Sequence, residues 1–493
     1  MMRRDRIVAR LEIIGLLAAA AFWAVACDPQ KELTRKAVKS VEHGLMRAAY
    51  LKGLRPDKLA LRDRMPFYRV PGVSLAVIDR NRLEWARAYG EKDVQTHQPL
   101  TTDTVFQSGA FSQVVASAAA LRLVEQGRLD ITREVNRQLV SWQIPEDARR
   151  DKIIPRELMA HAAGLSDQVF SGYMQAEPLP SLAQILDGEK PANSIPVWLP
   201  PARLVPTQVQ YSESGYIVLQ QLLEDVAGLP FPGFIMRTIF QPLKLAGSTF
   251  DVPLPEDFRS RTASGHLREG QVVTGLWRNY PESAAKGLWT TPSDFAAFLS
   301  DLLQSATVGA GKLLTPETAR YFLGPRVENA GFGFFVEGDG DDINFNLRAR
   351  TRGYTSFMTM YPAKGQGAVI MTNSENGFVL IQEILCALSE AYRWPHYKPE
   401  EKTVLRLASE TYAQFIGRYE VRPDYVLDVT QEDYYLVIRP TGQAATKFYA
   451  EGQTLFYSVD PYVRIQFLSD KAGRVESLVL WQQDFELAAK KTK

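Results

Sequence analysis

Apolar and polar positions follow different rhythms along the 493-residue chain, and each rhythm predicts its own element. Val73 to Ile78 and Leu83 to Tyr89 are strand-like runs around the polar turn Asp79-Arg80-Asn81-Arg82, which predicts a hairpin. Over about 110–126 stand Val114, Val115, Ala116, Ala118, Ala119, Ala120, Leu121 and Val124. A helix that is apolar nearly all round must be buried on most sides, and Gly127 can cap its C-terminus. Residues 150–325 mix short helices with Pro-rich loops such as Pro196 to Pro206. Strand patterns return over 332–337, 353–361 and 367–373, followed by a helix over about 376–392.

The texture then changes. Residues 398–404 are polar, follow a Pro-bearing run and read as a linker. Beyond them, turn signals recur near Pro423, Glu432, Gly442, Gly452, Pro461, Lys471 and Gln482. Between them lie Tyr-, Val- and Phe-rich runs such as Tyr434 to Ile438. Short strands at such spacing predict an antiparallel meander over 405–493 that curls into a small barrel or sandwich.

Composition narrows the function classes. There are 57 Lys+Arg against 56 Asp+Glu, a net charge of +1. Binding nucleic acid through bulk charge needs a basic surplus, so that class is disfavoured. Hydrophobic residues make up 45%, enough for a packed core and against a largely disordered chain. The two cysteines, Cys27 and Cys386, and five histidines form no CxxC or HExxH string, so no zinc site has motif support and no cofactor is expected. Cys386 lies in a helical apolar pattern and is expected to be a small core residue.

Arg3, Arg4, Arg6 and Arg10 precede an uncharged apolar run from Ile13 to Ala26. That run is shorter than the ~20 residues a spanning helix needs. Residues 1–27 therefore read as a secretory signal, with an uncleaved membrane anchor as the alternative. The end of the run, Ala24-Val25-Ala26-Cys27, resembles a bacterial lipobox. That resemblance implies lipidation at Cys27 and a membrane-anchored, extracytoplasmic or periplasmic chain. Asp28 then resembles the signal for retention in the inner membrane of Gram-negative cells. Residues 28–65 are charged and helical in tone.

An ordered set of motifs lies within 66–397. It runs through Val70-Pro71-Gly72-Val73-Ser74, Asp103-Thr104-Val105-Phe106, Leu158-Met159-Ala160-His161-Ala162-Ala163-Gly164-Leu165 and Tyr211-Ser212-Glu213. It continues with Phe240-Gln241-Pro242-Leu243, Gly287-Leu288-Trp289-Thr290-Thr291-Pro292-Ser293-Asp294 and Met371-Thr372-Asn373-Ser374. In this order they resemble the serine β-lactamases and penicillin-binding proteins, nearest to class C β-lactamases and D-aminopeptidase-like esterases. Residues 405–493 look like the lipocalin-like β-domain often attached to such proteins. The resemblance implies an α+β fold, an antiparallel sheet flanked by helices with a helical subdomain, followed by a small all-β barrel-like domain.

The family's chemistry uses three constellations. In Ser-x-x-Lys, one helical turn brings an amine beside the hydroxyl that attacks a carbonyl. The matching positions hold Ala110 and Gln113. A methyl cannot form an acyl-enzyme, and a neutral amide cannot take a proton. In Tyr-x-Asn, Tyr211 is kept but Glu213 replaces the amide, and a carboxylate there repels an anionic substrate or needs a basic partner. In Lys/His-x-Gly, the basic position falls on Leu347 and the glycine on Ala349, or one residue later on Arg348.

Ser283-Ala284-Ala285-Lys286 is the one Ser-x-x-Lys string in the chain, but it falls in an expected loop and reads as a coincidence. Arg348, Arg350 and Arg352 alternate and should share one strand face, a solvated edge or a carboxylate-binding stripe. Tyr211 and His161 read as packing residues with satisfied polar atoms.

The expectation is a catalytically inactive relative. It keeps Ala110, Gln113, Tyr211, Glu213 and Arg348 as binding candidates for a peptidoglycan peptide or a cell-envelope protein. The helix start at Ala110 still favours a carbonyl or carboxylate oxygen. The alternatives are an active hydrolase with a nucleophile rebuilt from Ser108 or Ser112 with Tyr211 and Glu213, and a C-terminal barrel that binds an apolar ligand.

Overall fold

The computed structural model describes residues 29–147, 149–166, 168–200, 209–324, 327–482 and 485–492. The expected leader, Cys27 and Asp28 lie outside the described residues. Two compact units form, one of Met65–Ile381 and the other of residues up to Arg64 together with Gln382–Lys493. Strands are numbered along the chain.

In the first unit, β2 (Gly72–Asp79) and β3 (Arg82–Asp93) form the expected hairpin. With β4 (Gln98–Pro99), β7 (Phe335–Glu337), β8 (Asn344–Thr351), β9 (Tyr354–Tyr361) and β10 (Gln366–Thr372) they make an antiparallel sheet of order β4-β3-β2-β10-β9-β8-β7. β2 and β9 are buried along their whole length, as central strands covered on both faces must be. The Pro292–Val308 helix packs against β2, β3 and β10. Its N-cap Thr291 accepts the Asp294 N–H, and Gly309 closes it in the left-handed conformation.

The apolar run at 110–126 becomes the Phe111–Glu125 helix, with Val114, Ala116, Ala118, Ala119 and Ala120 fully buried. The Glu213–Ala227 helix and the one-turn Ser283–Lys286 helix pack against it and against each other. Residues 283–286 are therefore not the loop expected from the sequence.

In the second unit, β12 (Gly417–Arg422), β13 (Tyr425–Glu432), β14 (Tyr435–Pro440), β15 (Thr446–Ala450), β16 (Leu455–Val459), β17 (Tyr462–Ser469), β18 (Val475–Gln482) and β19 (Phe485–Lys491) close into a barrel of eight antiparallel strands. The six connections among the described residues, from β12–β13 to β17–β18, fall where the turn signals stand. The interior is filled: the Phe415 ring lies 4.5 Å from Phe467 and 5.2 Å from Phe456, and Tyr419 lies 5.6 Å from Phe467. The apolar-ligand reading of the barrel meets these side chains where a ligand would sit.

The polar stretch read as a linker is also structured. Its β11 (Glu400–Lys402) pairs in parallel with β1 (Ala49–Leu51), and Lys402 Nζ bonds Glu451 at 3.0 Å. Polarity without an apolar pattern hid a two-strand ladder whose partner is remote in sequence. A buried network joins the N-terminal segment to this unit, with Arg64 reaching both Glu383 and Asp460 at 2.7 Å. No helix among the described residues is long and apolar enough to cross a membrane.

Candidate functional site

The helix that would carry a nucleophile is positioned by main-chain pairing. β5 (Phe106–Gln107) pairs with β6 (Trp289–Thr290), and Gly109 bridges Gly287. Gly109 has φ +57, and a Cβ there would lie 3.1 Å from the Arg350 carbonyl oxygen, so the position suits glycine. Ala110 follows as the helix N-cap, with φ −60 and ψ −9. Its methyl is nearly buried.

One turn on, Gln113 is fully buried and donates from Nε2 to the Tyr211 hydroxyl at 2.7 Å. Its Oε1 has no hydrogen-bond partner among the described residues. Gly333, at φ +85, lies against this turn, where a Cβ would come within 2.8 Å of the Gln113 carbonyl carbon. Tyr211 packs against His161 with ring centroids 4.6 Å apart and the planes tilted by 36°. His161 Nδ1 accepts the Ser212 N–H at 3.1 Å, and burial pulls its pKa down to about 4, so the ring is neutral at pH 7.

Glu213 has the basic partner its position calls for. Lys286 Nζ lies 3.0 Å from Glu213 Oε1, with both side chains buried. Glu213 Oε2 accepts the Phe170 N–H at 3.1 Å, while Lys286 donates to the Phe170 carbonyl at 3.0 Å. The pair thus brackets one residue's main chain and pins the loop that carries it. Glu282, fully buried one turn before Lys286, has neither carboxyl oxygen hydrogen-bonded among the described residues. Burial pushes its pKa up to about 8, against the pull of Lys286.

Lys286 of the Ser-Ala-Ala-Lys string is thus part of the site's frame, through Glu213 and Phe170 and not through the string's serine. The Ser283 hydroxyl faces the Pro281 carbonyl, and no bond joins it to the Lys286 amine among the described residues. Glu282 and the Phe170 main chain escaped the sequence reading, and Lys286 entered it only as part of a coincidental string. The available signal was Glu213 itself, which demanded a cation.

The serines flanking Ala110 are committed to the frame. Ser108 Oγ donates to the Leu288 carbonyl at 3.0 Å. Ser112 Oγ donates to the Gly109 carbonyl at 2.6 Å and accepts the Leu288 N–H at 3.0 Å. A separate buried grouping of Ser264, Asp93 and His266 exists. There Ser264 donates to Asp93, which also accepts the Gln95 and Thr96 N–H groups, and His266 Nδ1 faces the Asn373 carbonyl. It has the composition of a triad and the bonding of a turn clamp.

On β8 the strand alternation separates the third-motif candidates. Leu347 pairs with Met358, and both are core side chains. Arg348 is on the opposite face, its guanidinium 3.7 Å above the Phe378 ring. Arg350 is in phase with Arg348, but Arg352 lies beyond the strand and pairs with Glu375 at 3.2 Å, so the expected three-Arg stripe is broken. The structure brings Ala110, Gln113 and Tyr211 together, joins Glu213 to Lys286, and sets Leu347 in the core.

The sequence model of the family described as Beta-lactamase matches residues 59–383. The chain belongs to the β-lactamase family. It is 22% identical over 356 residues to an unguisins hydrolase of Aspergillus violaceofuscus, covering 63% of this chain and 60% of that protein's length. It is 23% identical over 326 residues to penicillin-binding protein 4 of Amycolatopsis lactamdurans, covering 62% of this chain and 81% of that one. The octameric penicillin-binding protein homologue from Pyrococcus abyssi superposes with a TM-score of 0.56 at 18% identity, covering 87% of this chain and 98% of that one. The β-lactamase fold of the first unit and the closed barrel of the second are those the motifs implied.

Proposed function

We propose that this chain is a β-lactamase-family protein without acyl-transfer chemistry, acting as a binding or scaffolding protein of the cell envelope. The observation that carries this reading is the set of substitutions at the head of the Phe111–Glu125 helix. Ala110 offers no nucleophile and Gln113 no base, and the nearby serine hydroxyls are tied to backbone carbonyls. The Lys286 amine is held by Glu213 and Phe170 and is not beside a hydroxyl. Removing the nucleophile of a serine hydrolase costs on the order of 10⁶ in turnover.

Cell-wall peptides, or a protein partner of the machinery that builds the wall, fit the names of the penicillin-binding relatives. A lipid on Cys27 would hold the protein on the extracytoplasmic side of the membrane.

The test is incubation of the purified soluble part with a fluorescent penicillin and with ester substrates. No covalent adduct and no turnover are expected. A stable adduct on any serine overturns the reading in favour of a rebuilt nucleophile. For the anchor, Cys27→Ser is expected to abolish lipid labelling, and persistent labelling contradicts it.

A further inference from the structure

The second unit contains a cavity of about 420 Å³ that none of the family chemistry uses. One wall is a single helix face: Cys386, Ser389 and Glu390 follow one another at helical spacing on the Gly377–Tyr392 helix, and Arg393 continues the row just past its end. Met46, Tyr50 and Trp394 supply the apolar body of the other walls. Trp394 and Cys386 are buried, and burial pushes the Cys386 thiol up to about 12, so this floor is uncharged at neutral pH. A cavity of this size with mostly apolar walls and a few polar groups is the usual form of a small-ligand site.

The charged groups sit at the rim and are unbalanced. Arg393 and Lys398 line the cavity and are exposed. Neither makes an ion pair among the described residues. Of the acids at the cavity, Glu390 is paired with Lys58, and Glu401 is held by the Tyr50 hydroxyl at 3.5 Å. An apolar interior below two uncompensated cations selects an amphipathic anion: the tail is buried at the gain of apolar transfer, and the head meets a guanidinium and an ammonium.

We propose that this cavity binds a medium-length alkyl chain ending in a carboxylate, with the chain on the Cys386–Trp394 floor and the carboxylate between Arg393 and Lys398. The site lies outside the unit that carries Ala110 and Gln113, so it stands independently of the function proposed above.

The experiment uses the full chain and a decanoate analogue bearing a photoreactive diazirine on its tail, with cross-linked peptides mapped by mass spectrometry. Cross-links are expected within residues 46–56 and 386–399, competed by decanoate and at least tenfold less well by decanol. The variant Arg393→Glu/Lys398→Glu changes two exposed side chains and is expected to weaken decanoate competition at least tenfold. Cross-links confined to other residues overturn the proposal. So does equal competition by decanol, or a double variant that binds decanoate unchanged.

Discussion

Lys286 Nζ lies 3.0 Å from Glu213 Oε1, and the two side chains are 7% and 6% exposed. Around them the Phe170 main chain closes a ring, N–H to Glu213 and carbonyl to Lys286. Two charges this deep are tolerated because each finds the other and a main-chain dipole. Lys286→Met strands the Glu213 carboxylate and should cost ~3–5 kcal/mol in urea unfolding. Glu213→Gln/Lys286→Met removes both charges and should recover most of that loss. Additive losses would show that the pair is not coupled.

Reinstalling the missing groups separates them. With Ala110→Ser alone, the hydroxyl gains no base, because the side chain at 113 is still an amide bonded to Tyr211. No labelling by fluorescent penicillin is expected. In Ala110→Ser/Gln113→Lys an amine stands one turn from the hydroxyl, and general-base assistance is worth ~10²–10⁴ in rate. Slow labelling at position 110 is expected where the single variant shows none, read by time-resolved gel fluorescence.

Glu282 sets a pH dependence. Its folded pKa, about 8, exceeds its ordinary value because burial disfavours the carboxylate. The folded state therefore binds the proton more tightly than the unfolded state. This contribution to stability is complete below about pH 4.5 and is lost as pH rises through about 8. Glu282→Gln should flatten the fall in Tm between pH 5 and 8, and an unchanged slope would assign the effect elsewhere. His161 acts on the acid side. Its pKa is lowered to about 4, so its contribution is present above pH 6.5 and lost as pH falls toward 4.

The barrel core gives a packing prediction. Phe415 is fully buried between Phe456 and Phe467. Phe415→Ala should destabilise the barrel by ~3–5 kcal/mol, from lost transfer energy plus the cavity left behind. Denaturant titration followed by near-ultraviolet dichroism measures it.

What was legible in the sequence follows the range of the interactions. The barrel strands and their turns could be read because alternation and turn residues are local, from Pro423 through Gln482. The Phe111–Glu125 helix could be read because its composition leaves no polar face. The emptied positions 110 and 113 could be read against family motifs. The partner of Glu213 could not, because nothing near residue 286 marks its lysine as buried. The sequence showed a need for a cation without showing which one. The β1–β11 ladder was missed for the same reason, since each strand is short and only its distant mate makes it a strand.

The zipper that joins residues 106–109 to 287–290 is made of peptide groups, with the Ser108 and Ser112 hydroxyls on the Leu288 peptide. Ser108 N–H meets the Leu288 carbonyl at 2.9 Å, and the strand bridges on either side continue it. None of those bonds uses the side chain at position 110 or 113. The scaffold is therefore indifferent to the reactivity it displays, so chemistry can be withdrawn from it, or grafted back, by exchanging a few atoms on a frame that does not have to refold.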